Sequence, residues 1–199
     1  MHEYDLIADW YASERVDTAV DGSGVPEVMA LAPWIRPGGR VLDIGCGHGL
    51  PLTKALLNLG HRVVGIDSAT NMLQRFRTNC PNALAVKAIV QGCPFAAQTF
   101  EAAIAWGVLF HLTQLEQVQA IAGVSRVLRT GAPFLFTAGY PDAVDDGQNH
   151  VGVMNGVEFP YYSFTKDGYR SILGQHGLTL VDFRIDAGQN GYYLARRTG

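Results

Sequence analysis

The stretch "VLDIGCGHG" (Val41–Gly49) constrains the fold more than any other part of the chain. An apolar, β-branched run ends in three glycines within five positions, and an amphipathic stretch, "LTKALLNLG" (Leu52–Gly60), follows at once. Glycine loses more backbone freedom on folding than any other residue, so glycines concentrated at a strand-to-helix handover mark a close approach of the backbone to something. The rest of the chain repeats the same grammar. "RVVGID" (Arg62–Asp67) reads as a strand, "ATNMLQRFRTN" (Ala69–Asn79) as a helix stopped by Pro81, and "ALAVKAIV" as a further strand. "EAAIAWG" (Glu101–Gly107) is the next strand, Gln114–Gly131 a long helix ending on arginines, and "APFLFTA" (Ala132–Ala138) another strand. Strands separated by helices imply right-handed crossovers and a parallel sheet.

The C-terminal part changes character. A helix over Asp167–Gly177 precedes "LTLVDFRID" and "GYYLARR", which are joined by the short "AGQNG". This reads as a hairpin, so the fold class is α/β, mostly parallel, with an antiparallel C-terminal strand. Residues Gly139–Phe164 show no clear regular element, although they carry Gly147, Asn149, His150, Phe159, Tyr161 and Tyr162. A loop of this length is usually functional, and we read it as a cover over a binding cleft. The N-terminal "YDLIADWYASER" reads as an amphipathic helix placing Tyr4 and Tyr11 before the sheet. At 199 residues, 48% hydrophobic and 17% charged, one domain (residues 1–199) is expected, with residues 1–37 as a helical cap.

Charge and cysteines narrow the function. Net charge is −3 with no basic run, which argues against a nucleic-acid partner, because phosphate neutralisation needs clustered positive charge. No signal-like N-terminus and no apolar stretch of membrane length are visible, and Cys46, Cys80 and Cys93 lack metal spacing. A cytoplasmic chain with reduced cysteines, no membrane and no metal is expected. In a parallel sheet the ligand sits beyond the carboxyl ends of the strands, where Gly45, Gly47 and Gly49 fall. A phosphate loop requires a Lys-Ser or Lys-Thr that is missing, and the glycines are spaced G-x-G-x-G, not G-x-G-x-x-G. Asp43, two residues before Gly45, would repel a pyrophosphate and would suit a ligand carrying positive charge.

With these residues in place the chain resembles the class I S-adenosylmethionine-dependent methyltransferases. The resemblance rests on "VLDIGCGHG", "VVGIDSATNML" (Val63–Leu73), "CPFAAQTFEAAIAWGVLFHL" (Cys93–Leu112) and "VLRTGAPFLFT" (Val127–Thr137), in that order. It implies a Rossmann-like three-layer sandwich around a seven-stranded sheet, with S-adenosyl-L-methionine as cofactor. It also implies roles. Gly45, Gly47 and Gly49 would lie against the cofactor, and Asp43 would organise the loop or meet the ammonium. Asp67, beside Ser68, would accept the ribose hydroxyls, and Met72 would pack on the adenine. Many members carry an acid before the "PF" of the third segment; here Gln91 stands near that place. Trp106 and Tyr11 are further cofactor candidates. His111 and His150 are the candidate bases, each with a plain structural reading beside it. A small organic acceptor is expected, taken by a monomer or homodimer. A non-catalytic S-adenosylmethionine-binding protein and a nicotinamide-dependent oxidoreductase are the alternatives.

Overall fold

The computed structural model describes residues 3–14, 24–139, 150–185 and 190–199. Its organising element is β1 (Arg40–Ile44), which pairs in parallel with β2 (Arg62–Asp67) on one side and β4 (Ala102–Ala105) on the other. β3 (Leu84–Lys87) extends the sheet beyond β2, and β5 (Pro133–Ala138) extends it beyond β4, both in parallel. β9 (Gly191–Arg197) pairs antiparallel with β5, and β8 (Leu178–Ile185) pairs antiparallel with β9. The seven strands run in the order β3-β2-β1-β4-β5-β9-β8. The C-terminal strand is therefore the antiparallel one, as the terminal hairpin in the sequence requires. The order reverses beside β1, which opens a crevice at the carboxyl ends of β1 and β4.

Helices cover both faces, and the strands are apolar on both as a result. Leu42, Ile44, Ala103, Phe134 and Phe136 are buried towards α6 (Gln114–Val127) and α7 (Lys166–Gln175). Val41, Val63, Ile104 and Leu135 are buried on the opposite side, with Leu56 of α4 (Leu52–Asn58) and Val28 of α3 (Val25–Met29). α5 (Thr70–Asn79) follows β2. The N-terminal stretch forms two short helices, α1 (Glu3–Leu6) and α2 (Ala8–Glu14), where the pattern suggested one.

Two other elements depart from the sequence reading. α6 ends at Val127 and not at Gly131, because Val127 O accepts from Thr99 and Phe100 and Arg129 N donates to Phe100 O. The chain is drawn into strand-like pairing with the segment that leads into β4. The described part of Gly139–Phe164 is a separate hairpin of β6 (His150–Met154) and β7 (Val157–Tyr161). Its turn is Asn155-Gly156, both at positive φ (47° and 77°), the pairing that a two-residue hairpin loop favours. Gly147 and Asn149 lie outside the described residues.

Gln117, fully buried on α6, ties this hairpin to the body. Its Nε2 donates to Leu112 O and Tyr162 O, both at 2.9 Å, and its Oε1 accepts from the Tyr169 hydroxyl of α7 at 2.6 Å. Tyr169→Phe keeps the ring but leaves Gln117 Oε1 buried without its donor. The expected loss is about 2 kcal/mol of unfolding free energy, read as a lower urea midpoint with an unchanged slope.

Candidate functional site

Strain and close packing shape the loop after β1. Gly45, Gly47 and Gly49 all have positive φ (64°, 52° and 86°), a conformation costly for other residues. Their missing side chains face different things. A Cβ on Gly45 would sit 2.7 Å from Val108, and one on Gly49 would meet Cys80 Sγ at 2.8 Å and the Phe76 ring at 3.0 Å. A Cβ on Gly47 would meet nothing within 4 Å. Gly49 is thus required by its packing on α5, and Gly47 is the one whose face opens onto the cavity described below. The three glycines, which all line one or both cavities, thus differ in what their missing side chains face.

Asp67, at the end of β2, holds the loop. Its Oδ2 accepts from Gly47 N at 2.9 Å and its Oδ1 from Ala69 N at 2.8 Å. Asp43, at the end of β1, is buried and accepts a hydrogen bond from the Thr53 hydroxyl in α4. Burial pushes the Asp43 carboxyl up to about 7; the Thr53 hydrogen bond opposes this and the charge of Asp67 adds to it. Thr53 was not singled out from the sequence. The only trace there is a hydroxyl residue in the first turn of the helix after the glycines.

A cavity of about 320 Å³ opens beyond β1, β2 and β4, and a smaller one of about 50 Å³ adjoins it under the glycine loop. The larger is lined by Gly45, Gly47, Asp67, Ser68, Met72, Gln91, Trp106, Tyr11 and His111, nine of the twelve candidate residues. Asp43 and Gly49 line the smaller one, and Tyr11 and Trp106 stand where the two meet. Trp106 is stacked on Tyr192 (4.8 Å, 21°), and Gly107 behind it is anchored by donating to Thr137 Oγ1 at 2.7 Å. Tyr4 of the N-terminal segment and Phe159 of the expected cover also line the larger cavity, as do Glu3 and Glu116, which no sequence signal marked. Four carboxylates (Glu3, Asp43, Asp67 and Glu116) face the two cavities; no lysine or arginine among the described residues lines either.

The two histidines part company. His111, in the 3₁₀ turn Leu109–His111, lines the cavity, with Nε2 2.9 Å from the Tyr4 hydroxyl and Nδ1 3.1 Å from Pro160 O. His150 is exposed at the end of β6, stacked on Tyr161 (4.8 Å, 5°), and does not line the cavity. The pairing of His150 with Tyr161 puts that tyrosine between it and His111, so the expected second base is not at the site.

Comparison with known proteins gives a consistent result. Residues 41–131 match a family described as "Methyltransferase domain". The chain is 35% identical over 100 residues to an uncharacterised methyltransferase of Synechocystis, covering 50% of this chain and 47% of that protein. It is 31% identical over 174 residues to the botryococcene C-methyltransferase of Botryococcus braunii, covering 77% of this chain and 45% of that protein. The chain spans less than half the length of these two curated relatives. Among solved structures, the Burkholderia thailandensis 1,6-didemethyltoxoflavin-N1-methyltransferase, with S-adenosylhomocysteine bound, superposes with a TM-score of 0.74 at 20% identity. That match covers 99% of this chain and 87% of the other.

Two measurements test this geometry. Gly49→Ala should cost about 1–3 kcal/mol more stability than Gly47→Ala in urea unfolding, because both incur the positive-φ penalty but only Gly49 meets packed neighbours. Asp43 binds its proton more tightly folded (about 7) than unfolded (3.8), so it lowers stability as pH rises between those values. Asp43→Asn removes that loss. Its stability relative to the parent should rise by up to about 4 kcal/mol from pH 4 to pH 8.

Proposed function

We propose that the chain is a class I S-adenosylmethionine-dependent methyltransferase that methylates a small organic acceptor, a reading supported by the match of residues 41–131 to a methyltransferase family and by the fold shared with such an enzyme. The observation that carries this reading is the charge of the cavities: four carboxylates and no lysine or arginine among the described linings. A dinucleotide would bring its pyrophosphate anions into that field, whereas a sulfonium and an ammonium are stabilised by it. This weighs against nicotinamide-dependent redox chemistry.

The residues present fit the cofactor. Gly47 leaves open space where a side chain would intrude. Asp67, which lines the cavity, presents carboxylate oxygens, which accept and do not donate, to the ribose hydroxyls. Met72, Ile89 and Val90 supply apolar surface for the adenine, with Gln91 and the backbone beside it in place of an acid. Asp43, lining the smaller cavity, lies where the ammonium would be received. Once bound, the sulfonium supplies an electrophilic methyl group, and the C–S bonding pair stays on sulfur. The protein's part is then to hold the acceptor in line, exclude water and receive a proton where the acceptor has one to lose. His111 faces the cavity as that base, among Tyr4, Leu112 and Phe159.

These walls suit an apolar or aromatic acceptor, and the similarity to a protein named botryococcene C-methyltransferase supports the same class. No helix among the described residues is long and apolar enough to cross a membrane. The net charge of −3 supports a small-molecule and not a nucleic-acid substrate, and we read the enzyme as cytoplasmic, a monomer or homodimer.

Calorimetric titration with S-adenosylmethionine, NAD and NADP tests the cofactor. Micromolar binding of the sulfonium alone is expected, weakened at least about a hundredfold in Asp67→Ala. Binding should weaken as pH falls below about 7, because the ammonium must displace the Asp43 proton. A loss of roughly tenfold from pH 8 to pH 6 is expected, with no such slope in Asp43→Asn. Mass spectrometry of a panel of phenol, farnesol and a primary alkylamine then tests the transfer. Tight cofactor binding with no methylated product across a widened panel would favour a binding protein over an enzyme.

A further inference from the structure

We propose that Tyr4 is a catalytic residue, its hydroxyl taking the acceptor's proton while it passes its own to His111 Nε2. The base is then a tyrosine–histidine pair built from two distant parts of the chain. This rests on the methyl-transfer reading above.

The hydrogen bonds fix the direction of the relay. Pro160 O is a carbonyl and can only accept, so the contact of 3.1 Å places the imidazole hydrogen on His111 Nδ1. In the neutral ring Nε2 then has a lone pair and no hydrogen, so the Tyr4 hydroxyl, 2.9 Å away, is the donor. The lone pair expected to act as base is thus already engaged, and an acceptor approaching from the cavity can reach it through the tyrosine oxygen. As the acceptor's oxygen or nitrogen takes the methyl group, its bond to hydrogen breaks and that proton goes to the Tyr4 oxygen. The Tyr4 proton moves to Nε2 in the same step, and His111 is left as imidazolium with Nδ1–H still on Pro160 O. The tyrosine ends as it began, so no free phenolate is needed from a group that ordinarily ionises near pH 10. Among the described residues, Tyr4 and Tyr161 contact the His111 ring, and Glu3 and Glu116 line the same cavity.

Tyr4 is held in place for this. Its ring packs against Phe159 (centroids 4.9 Å), Tyr11 (5.5 Å) and His111 (5.6 Å). The next residue, Asp5, pins α1 to α5: its Oδ1 accepts from Asn71 N at 2.8 Å, and its carbonyl accepts from Asn71 Nδ2 at 3.0 Å. The N-cap residue of α5 is Ala69, which has no capping side chain, so Asp5 satisfies that exposed amide from elsewhere in the chain. Asp5 is a positioning residue that acts through Tyr4.

The test uses the full chain labelled with ¹⁵N at histidine, with the His111 ring signals assigned by their loss in His111→Gln. Near pH 8, two-bond ¹H–¹⁵N spectra should show the Nδ1–H tautomer, and Tyr4→Phe should move the Nε2 resonance towards that of an unbonded ring nitrogen. The Nε2–H tautomer, or an Nε2 signal indifferent to Tyr4→Phe, overturns the proposal. With the first panel compound that turns over, Tyr4→Phe should lower kcat about a hundredfold, with acceptor KM and S-adenosylmethionine affinity within about threefold of the parent. An equal loss of cofactor affinity would make Tyr4 a cofactor contact and overturn the relay. Asp5→Ala should lower kcat about tenfold without changing the parent's tautomer, and Asp5→Asn, which keeps an acceptor oxygen, should restore most of it. A parent protein that does not bind S-adenosylmethionine overturns the methyl-transfer reading, while the spectra still decide the Tyr4–His111 bond.

Discussion

One carboxylate joins the parts of the site. Asp67 accepts from the amide of Gly47 in the loop after β1 and from the amide of Ala69 at the start of α5. These segments are adjacent because β1 and β2 pair in parallel register, Ile44 beside Ile66, which brings both strand ends to the same level. Hydrogen bonds to an ionised acceptor are roughly twice as strong as neutral ones, so a single side chain can hold a strained glycine turn against a helix start. The amide–Asp67 contact fixes Gly47 with its bare face towards the cavity, and Met72 is delivered one turn further along α5. Displacing Asp67 would therefore disturb the glycine loop and the apolar wall together.

Asp43 shows what this arrangement costs. A carboxylate kept from water beside a second carboxylate is disfavoured, and the Thr53 hydroxyl offsets only part of that. A sequence selected for stability alone would place an apolar residue there. An acid retained at that cost fits a ligand that brings the compensating positive charge, the same inference that the lack of lysine and arginine around the described cavities supports. Site charge and site instability have one cause.

The sheet and the cofactor end were legible because they depend on local signals. The period of the apolar runs, the glycines after β1, the acid at the end of β2 and the short link before β9 each state their role within a few residues. The acceptor end was not, because it is assembled from segments far apart in the chain: Tyr4 from the N-terminal segment, His111 from the turn after β4, Phe159 and Pro160 from β7. Nothing local to Tyr4 distinguishes it from Tyr11, and nothing local to His111 distinguishes it from His150. The hairpin is different. Asn155-Gly156 between Met154 and Val157 is a local turn signal, obscured by the irregular composition around it. Gly49 shows a further limit: a glycine required by packing on Phe76 and one that leaves room for a ligand look alike in sequence.

The division between the two ends also bears on how the site is completed. α1 has four residues and α2 seven, too short to be stable in isolation, so their order depends on contacts with α5, the hairpin and the cavity wall. Those contacts are the ones that place Tyr4 on His111 Nε2 and close Tyr11 over the junction of the two cavities. The segment that sets Tyr11 at the junction of the cavities is thus the segment that places Tyr4 on His111. With the N-terminal helices undocked, His111 would keep its Pro160 contact but lack the hydroxyl that reaches the acceptor, so proton removal is tied to closure.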